Sequence, residues 1–285
     1  MHESIKEKYD TKPEQSELGR SSEYDADYNP DRLFAIPRAG KRQEIGVNPN
    51  ELPFYGFDCW NHYEVSWLNA KGKPVVALAE IIYDCATAYI IESKSLKLYF
   101  NSFNNTRFNT SDDVALAIKR DLSARLDGEA QVRVLSLKEN KTAAIDTAPQ
   151  GECLDDLDVT CSVYLVEPEY LFVDDKQVDE VLYSDLLKSN CLVTNQPDWG
   201  SVQIAYVGKK INREGLLKYL VSFRNHNEFH EQCIERIFVD VMRRCKPEKL
   251  TVYGRYTRRG GLDINPYRST EKVGSDGLNQ RLIRQ

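Results

Sequence analysis

Polar and charged residues dominate the first 45 positions, with Pro13, Pro30 and Pro37 among them, and this pattern predicts an extended arm. Apolar density begins at Leu52–Trp60 (LPFYGFDCW), where order is expected to start. β-Branched and aromatic residues then predict strands at Tyr63–Leu68, Val75–Tyr83 and Ala88–Glu92, with a turn at Lys71–Pro74. Leu96–Phe103 (LKLYFNSF) alternates less cleanly. Ser111–Leu126 reads as a helix: Val114, Ile118 and Leu122 recur at four-residue spacing, Ser111 can cap it, and Asp112 and Asp113 suit its positive end. Gln131–Leu137 reads as a strand, and the acidic stretch 139–158 is the best internal boundary.

The second half follows a similar plan. Val202–Val207 and Leu216–Phe223 are expected as strands. Phe229–Cys245 is expected as a helix with Ile234, Ile237 and Val241 on one face, stopped by Lys246–Pro247, and Leu250–Tyr256 as a closing strand. LYFNSFNN (98–105) aligns with KYLVSFRN (218–225), matching Tyr99 to Tyr219 and Ser102–Phe103 to Ser222–Phe223. A long helix is expected shortly after each. The pattern suggests an internal duplication with a period of roughly 120 residues, too long for a solenoid repeat. Two antiparallel-rich halves with few βαβ units predict an α+β fold. The expected organisation is an arm at 1–45, a first domain at 46–150 and a second at 151–285.

At 285 residues the chain can hold one large domain or two ordinary ones. A hydrophobic share of 41% and a charged share of 29% suit a soluble globular protein. The net charge of −6 argues against a wide nucleic-acid-binding surface, although Arg255, Arg258 and Arg259 could serve a small anion. No apolar run approaches a membrane span, and the start MHESIKEKYD lacks a hydrophobic signal core, so a cytoplasmic location is expected. The seven cysteines (59, 85, 153, 161, 191, 233 and 245) include no CxxC pair. They are expected as free thiols, each by default a small buried hydrophobe.

Four segments could carry chemistry. SNCLVTNQPDWG (189–200) places Cys191 ahead of Asp198, which could exchange the thiol proton if the loop folds back; a structural cysteine beside a turn is the competing reading. NHNEFHE (225–231) puts two histidines and two glutamates at a helix mouth. Its His226–His230 spacing is a weak metal pattern without a third ligand, and Glu231 suits either the helix dipole or a guanine-like edge presenting paired N–H groups. IESKSLKLY (91–99) is a polar break after an apolar strand, either a solvated loop or a phosphate-holding turn built on Lys94. RRGGLDINP (258–266) is either a flexible basic turn or a phosphate cradle. No GxGxxG or GxxxxGK[ST] is present.

Together these four segments resemble, in order, those of the NADPH-dependent 7-cyano-7-deazaguanine reductases, the QueF nitrile reductases of queuosine biosynthesis, over about residues 50 to 275. ESKSLKLY looks like the family's signature motif, and its position in the first half, with the cysteine in the second, resembles the long two-domain subgroup. The resemblance implies tandem tunnelling folds (T-folds), antiparallel sheets backed by helices. It implies Cys191 as the nucleophile forming a thioimide with the nitrile, and Asp198 as the proton carrier. It further implies Ile91, Glu92, Ser93, His230 and Glu231 as substrate-binding residues, and Ser93, Lys94, Arg259 and Gly260 as binding NADPH, with no metal. One pocket per chain is implied, because the stretch around Asn212–Tyr219 lacks the ESK sequence. A homodimer is expected, with a small 7-deazaguanine as partner and no direct nucleic-acid or membrane partner. Two other readings compete: another tunnelling-fold purine or pterin enzyme of the GTP cyclohydrolase kind, and a non-catalytic purine-binding module. The first would need zinc ligands that His2, His62, His226 and His230 supply poorly without paired cysteines.

Overall fold

The computed structural model describes residues 24–138, 145–146 and 148–285. Part of the expected arm and part of the 139–158 boundary therefore lie outside the described residues. In chain order the elements of the first half are β1 (Ala35–Pro37), α1 (Ala39–Glu44), β2 (Tyr55–Leu68), β3 (Pro74–Asp84), β4 (Tyr89–Ile91), α2 (Ser93–Asn101), α3 (Ser111–Leu126) and β5 (Ala130–Ser136). Then follow β6 (Ile145–Asp146), β7 (Glu152–Cys153), β8 (Val173–Asn190), β9 (Pro197–Ile211), α4 (Arg213–Ser222), α5 (His230–Cys245), β10 (Lys249–Tyr256), β11 (Leu262–Ser269) and β12 (Arg281–Leu282). Helices thus combine with largely antiparallel strands. The described residues divide into two compact units: 24–41, 59–138 and 258–263 form one, and 42–58, 145–146, 148–257 and 264–285 the other.

In the first unit the strands run in the order β5-β3-β2. β3 and β5 pair antiparallel from Tyr83↔Ala130 to Ala77↔Ser136. Val114, Ile118, Leu122 and Leu126 of α3 are buried, the face their four-residue spacing predicts. Its cap lies one residue earlier than expected: Thr110 Oγ1 accepts from Asp113 N, and Asp113 Oδ2 accepts from Thr110 N, both at 3.1 Å. Such a reciprocal cap is worth about 1 kcal/mol. The described end of the expected arm is not simply extended, because β1 pairs with β4 and Leu33 and Ile36 are buried. A short apolar run, LFAI, is enough to anchor it inside a polar composition.

In the second unit the order is β11-β10-β9-β8-β7. β8 and β9 form a long hairpin that ends at Asn190↔Pro197, with an irregularity between Ser184 and Leu187. The strand expected at Leu216–Phe223 is instead part of helix α4. Leu216, Leu217, Tyr219 and Leu220 are all buried, so burial on several sides erased the periodicity that separates helix from strand. Glu235 of α5 anchors that helix in a buried ion cluster. It accepts from Arg42 Nε and Nη2 at 2.9 and 2.7 Å, and from Arg268 Nη2 at 2.9 Å. Arg268 in turn lies 2.8 Å from Asp58.

The two aligned segments, 98–105 and 218–225, also share individual bonds. Tyr99 donates to Asp121 and Tyr219 to Asp240, each at 2.7 Å. Ser102 donates to Tyr99 O and Ser222 to Tyr219 O, each at 2.6 Å. Phe103 and Phe223 stand edge-on to those tyrosines at 5.0 and 5.3 Å. The helix caps also correspond, but with a change of chemistry: Glu92 caps α2 and Asn212 caps α4.

Candidate active site

The β8–β9 hairpin sets the geometry around Cys191. Cys191 N donates to Gln196 O at 2.8 Å and Asn195 N to Cys191 O at 3.1 Å, so residues 192–195 form a tight loop. Asn195 takes the left-handed conformation, φ 56°, that asparagine tolerates. Ser189 pairs with Asp198 across the hairpin. Side chains alternate along a strand, so Ser189, Cys191 and Asp198 share one face, and all three are buried. Cys191 and Asp198 are diagonal neighbours, a relation that spaces Cβ atoms by about 7 Å. That spacing admits a two-atom unit between thiol and carboxyl.

The start of α5 is brought to the same hairpin by backbone bonds. Asn190 N donates to His226 O at 2.8 Å, and Glu228 N donates to Asn190 O at 3.1 Å. Lys188 Nζ reinforces the junction, donating to Asn190 Oδ1 and to Arg224 O at 2.6 Å each. His230 and Glu231 then occupy the first turn of α5, both buried. His230 Nε2 lies 3.5 Å from Asp198 Oδ1, and its ring meets Tyr256 at 4.0 Å between centroids. Burial pushes the Tyr256 phenol well up, with the nearby Cys233 and Asp198 adding to the shift. Burial likewise pushes the Cys233 thiol well up, keeping it protonated beside Ser189. The positive end of α5 favours an anion at this place. Four sequence-predicted residues, Cys191, Asp198, His230 and Glu231, thus gather in the second unit.

The remaining six gather in the first unit. Ile91 is buried and pairs with Ala35. Glu92 is the cap of α2 rather than part of a solvated loop: its oxygens accept from Lys94 N and Ser95 N at 2.7 Å each. Burial raises its carboxyl above the usual range despite those two bonds and the nearby Arg259. Arg259 Nη2 lies 3.5 Å from Ser93 Oγ, while the neighbouring Arg258 stacks on Tyr63 at 3.8 Å. Gly260 and Gly261 have φ of 62° and 78°, and Arg259 and Leu262 exchange backbone bonds around them. Two consecutive positive φ values make this a glycine-dependent tight turn. A Cβ on Gly261 would meet the Glu64 carboxyl at 2.5 Å. A helix N-terminus, Lys94, Arg259 and a glycine turn together form a setting suited to the phosphates of a dinucleotide.

Sequence reasoning missed Glu228, Arg236 and Lys188. Glu228 and Arg236 are eight positions apart, straddling the start of α5, where no helical spacing links them. Among the described residues, no group of three or more His, Cys, Asp or Glu side chains is arranged to hold a metal ion. No helix among them is long and apolar enough to cross a membrane.

Comparison with known proteins addresses the family of the chain. The family model described as "Nitrile reductase, 7-cyano-7-deazaguanine-reductase N-term" matches residues 24–134, and the one described as "QueF-like protein" matches residues 197–275. The NADPH-dependent 7-cyano-7-deazaguanine reductase of Legionella pneumophila strain Lens is 66% identical over 285 residues, covering 100% of both chains. The protein of the same name from Polaromonas sp. is 55% identical over 279 residues, covering 96% of this chain and 99% of that one. A solved structure of the archaeosine synthase QueF-Like in the apo form covers 35% of this chain and 99% of its own, with 16% identity and a TM-score of 0.30. With full-length relatives at this identity, the chain belongs to the NADPH-dependent 7-cyano-7-deazaguanine reductases, a family of oxidoreductases.

Proposed function

We propose that the chain reduces the nitrile of 7-cyano-7-deazaguanine to the aminomethyl group of 7-aminomethyl-7-deazaguanine, consuming two NADPH, in tRNA queuosine biosynthesis. The observation that carries this reading is the shared buried face of Cys191 and Asp198 across the β8–β9 hairpin, with His230 and Glu231 at the adjoining helix start. Cys191 Sγ adds to the nitrile carbon while its proton passes through Asp198 to the nitrile nitrogen, giving a covalent thioimide. NADPH supplies the two hydrides when bound. After the first hydride and one proton reach the C=N unit, the C–S bond breaks, the electron pair returns to sulfur, and an imine remains. The second hydride and a further proton complete the amine. Overall the nitrile takes up two hydrides and two protons. Proton delivery by Asp198 prevents negative charge from building on nitrogen, an effect typically worth about 10²–10⁴ in rate.

Glu231 accepts from the ring N–H and exocyclic amine of the base, with His230 beside it; Ile91, Glu92 and Ser93 are further substrate-binding residues in this reading. Ser93, Lys94, Arg259 and Gly260 hold NADPH, the helix start and Arg259 receiving phosphate. The chain works in this reading as a cytoplasmic homodimer of tandem tunnelling folds, the first domain at 46–150 and the second at 151–285. The test is NADPH oxidation started by 7-cyano-7-deazaguanine, with product identified by mass. The expected ratio is two NADPH per amine; no nitrile-dependent oxidation, or activity that follows stoichiometric zinc, would overturn the reading.

A further inference from the structure

Glu228 is only 1% exposed, yet it accepts three hydrogen bonds from basic side chains. They come from His226 Nε2 at 2.9 Å, Arg236 Nε at 3.0 Å and Arg236 Nη2 at 2.7 Å. Burial alone would raise its carboxyl, but the bonds from His226 and Arg236 hold it below the ordinary glutamate range. Its backbone N–H meets Asn190 O, and His226 O takes the N–H of Asn190. One side chain therefore clamps both flanks of the segment that grips Asn190, the residue before Cys191. The same side chain stands two residues ahead of His230.

The duplication supplies an internal comparison. Aligning the two long helices on Asp121 and Asp240, the tyrosine-bonded pair, places Asn109 where Glu228 stands and Ala117 where Arg236 stands. That half starts its helix with the neutral-to-acidic box Thr110–Asp113. In the half that carries Cys191, the cap position is Phe229, whose N–H donates to Gln232 Oε1 at a long 3.4 Å. Starting the helix does not require a charged clamp, since the sister half manages without one. The clamp is found where the reactive cysteine is.

We infer that Glu228, held by Arg236 and His226, is a positioning residue that fixes Cys191 against His230 and Glu231, and so sets the distance at which the thiol meets the nitrile carbon. This role rests on Cys191 being the nucleophile, as proposed above. Glu228 touches no reacting atom, and it acts through the backbone of Asn190 and the start of α5. Misplacement of a reacting group by about 1 Å costs on the order of 100-fold in rate.

The test is the time course of adduct formation, by intact mass, on the full chain with 7-cyano-7-deazaguanine and no NADPH. At saturating nitrile, Glu228→Ala should slow adduct formation by about 10- to 100-fold per folded molecule. Glu228→Gln and Arg236→Lys, which keep part of the clamp, should each recover part of that loss. The saturating rate should fall by more than the nitrile concentration giving half-maximal rate rises, because Glu228 itself makes no bond to the base. A Glu228→Ala variant with a lowered melting temperature but the wild-type rate per folded molecule would overturn the role, leaving Glu228 as a stability element. If Glu228→Ala does not fold, wild-type rates in both conservative variants would overturn it equally. Absence of adduct in the wild-type chain would instead remove Cys191 as nucleophile, and the positioning role with it.

Discussion

Acidification should destabilise the first unit through His62. The ring is 1% exposed, packs 4.2 Å from Phe100 and places Nδ1 3.0 Å from Gly261 O. A carbonyl only accepts, so Nδ1 carries the proton of the neutral ring. Burial pushes the imidazole down from 6.5 to about 4, with the Gly261 bond and Glu64 opposing and Lys97 adding to the depression. The folded value lies below the unfolded one, so the unfolded chain takes up the proton first. Stability from this group is therefore complete above pH 6.5 and is lost as pH falls toward about 4. The slope within that window is up to about 1.4 kcal/mol per pH unit, giving a total of about 3 kcal/mol. The assay is urea denaturation at stepped pH for the wild-type chain and for His62→Asn, which keeps a donor near the Nδ1 position. Taking the difference cancels other groups, including Glu92, whose raised carboxyl acts with the opposite sign. The stability gap between the two proteins should shrink by about 3 kcal/mol between neutral pH and pH 4. Parallel pH profiles would refute the reasoning.

Three further outcomes follow from particular contacts. Glu235→Ala strips a shared carboxylate from the buried Arg42 and Arg268, and should cost about 3–5 kcal/mol in denaturant titration; a loss under about 1 kcal/mol would contradict the cluster's role. Asp198→Asn should slow nitrile-dependent NADPH oxidation by about 10²–10⁴ with the fold intact by circular dichroism, and unchanged turnover would remove Asp198 from the chemistry. Tyr99→Phe and Tyr219→Phe each delete an O–H bond to a largely buried aspartate and should cost similar amounts, about 1–3 kcal/mol; a large loss at one and none at the other would contradict the equivalence of the two halves.

The two long helices were legible because each presents one apolar stripe and a polar back, and because capping chemistry marks the first of them. The shorter helices α2 and α4 were not. LKLYFNSF and LLKYLVSF are apolar on several sides, and their aromatic and β-branched residues favour strands as much as helices. Their buried faces override that local preference. β8 was also missed, since its first half (VDDKQVDE) is charged and is ordered by pairing with β9. At the site, the short separation of Cys191 and Asp198 hinted at a hairpin, and the register explains why both point inward. The clamp of Glu228 could not be read from spacing, because one partner lies before the helix and the other two turns into it.

The most direct measurement is the intact mass of the chain after incubation with 7-cyano-7-deazaguanine in the absence of NADPH. Addition of a thiol across a nitrile loses no atoms, so the expected product carries the full mass of one nitrile per chain, and Cys191→Ala carries none. An unmodified wild-type chain, or an adduct that persists in Cys191→Ala, would contradict Cys191 as the covalent nucleophile.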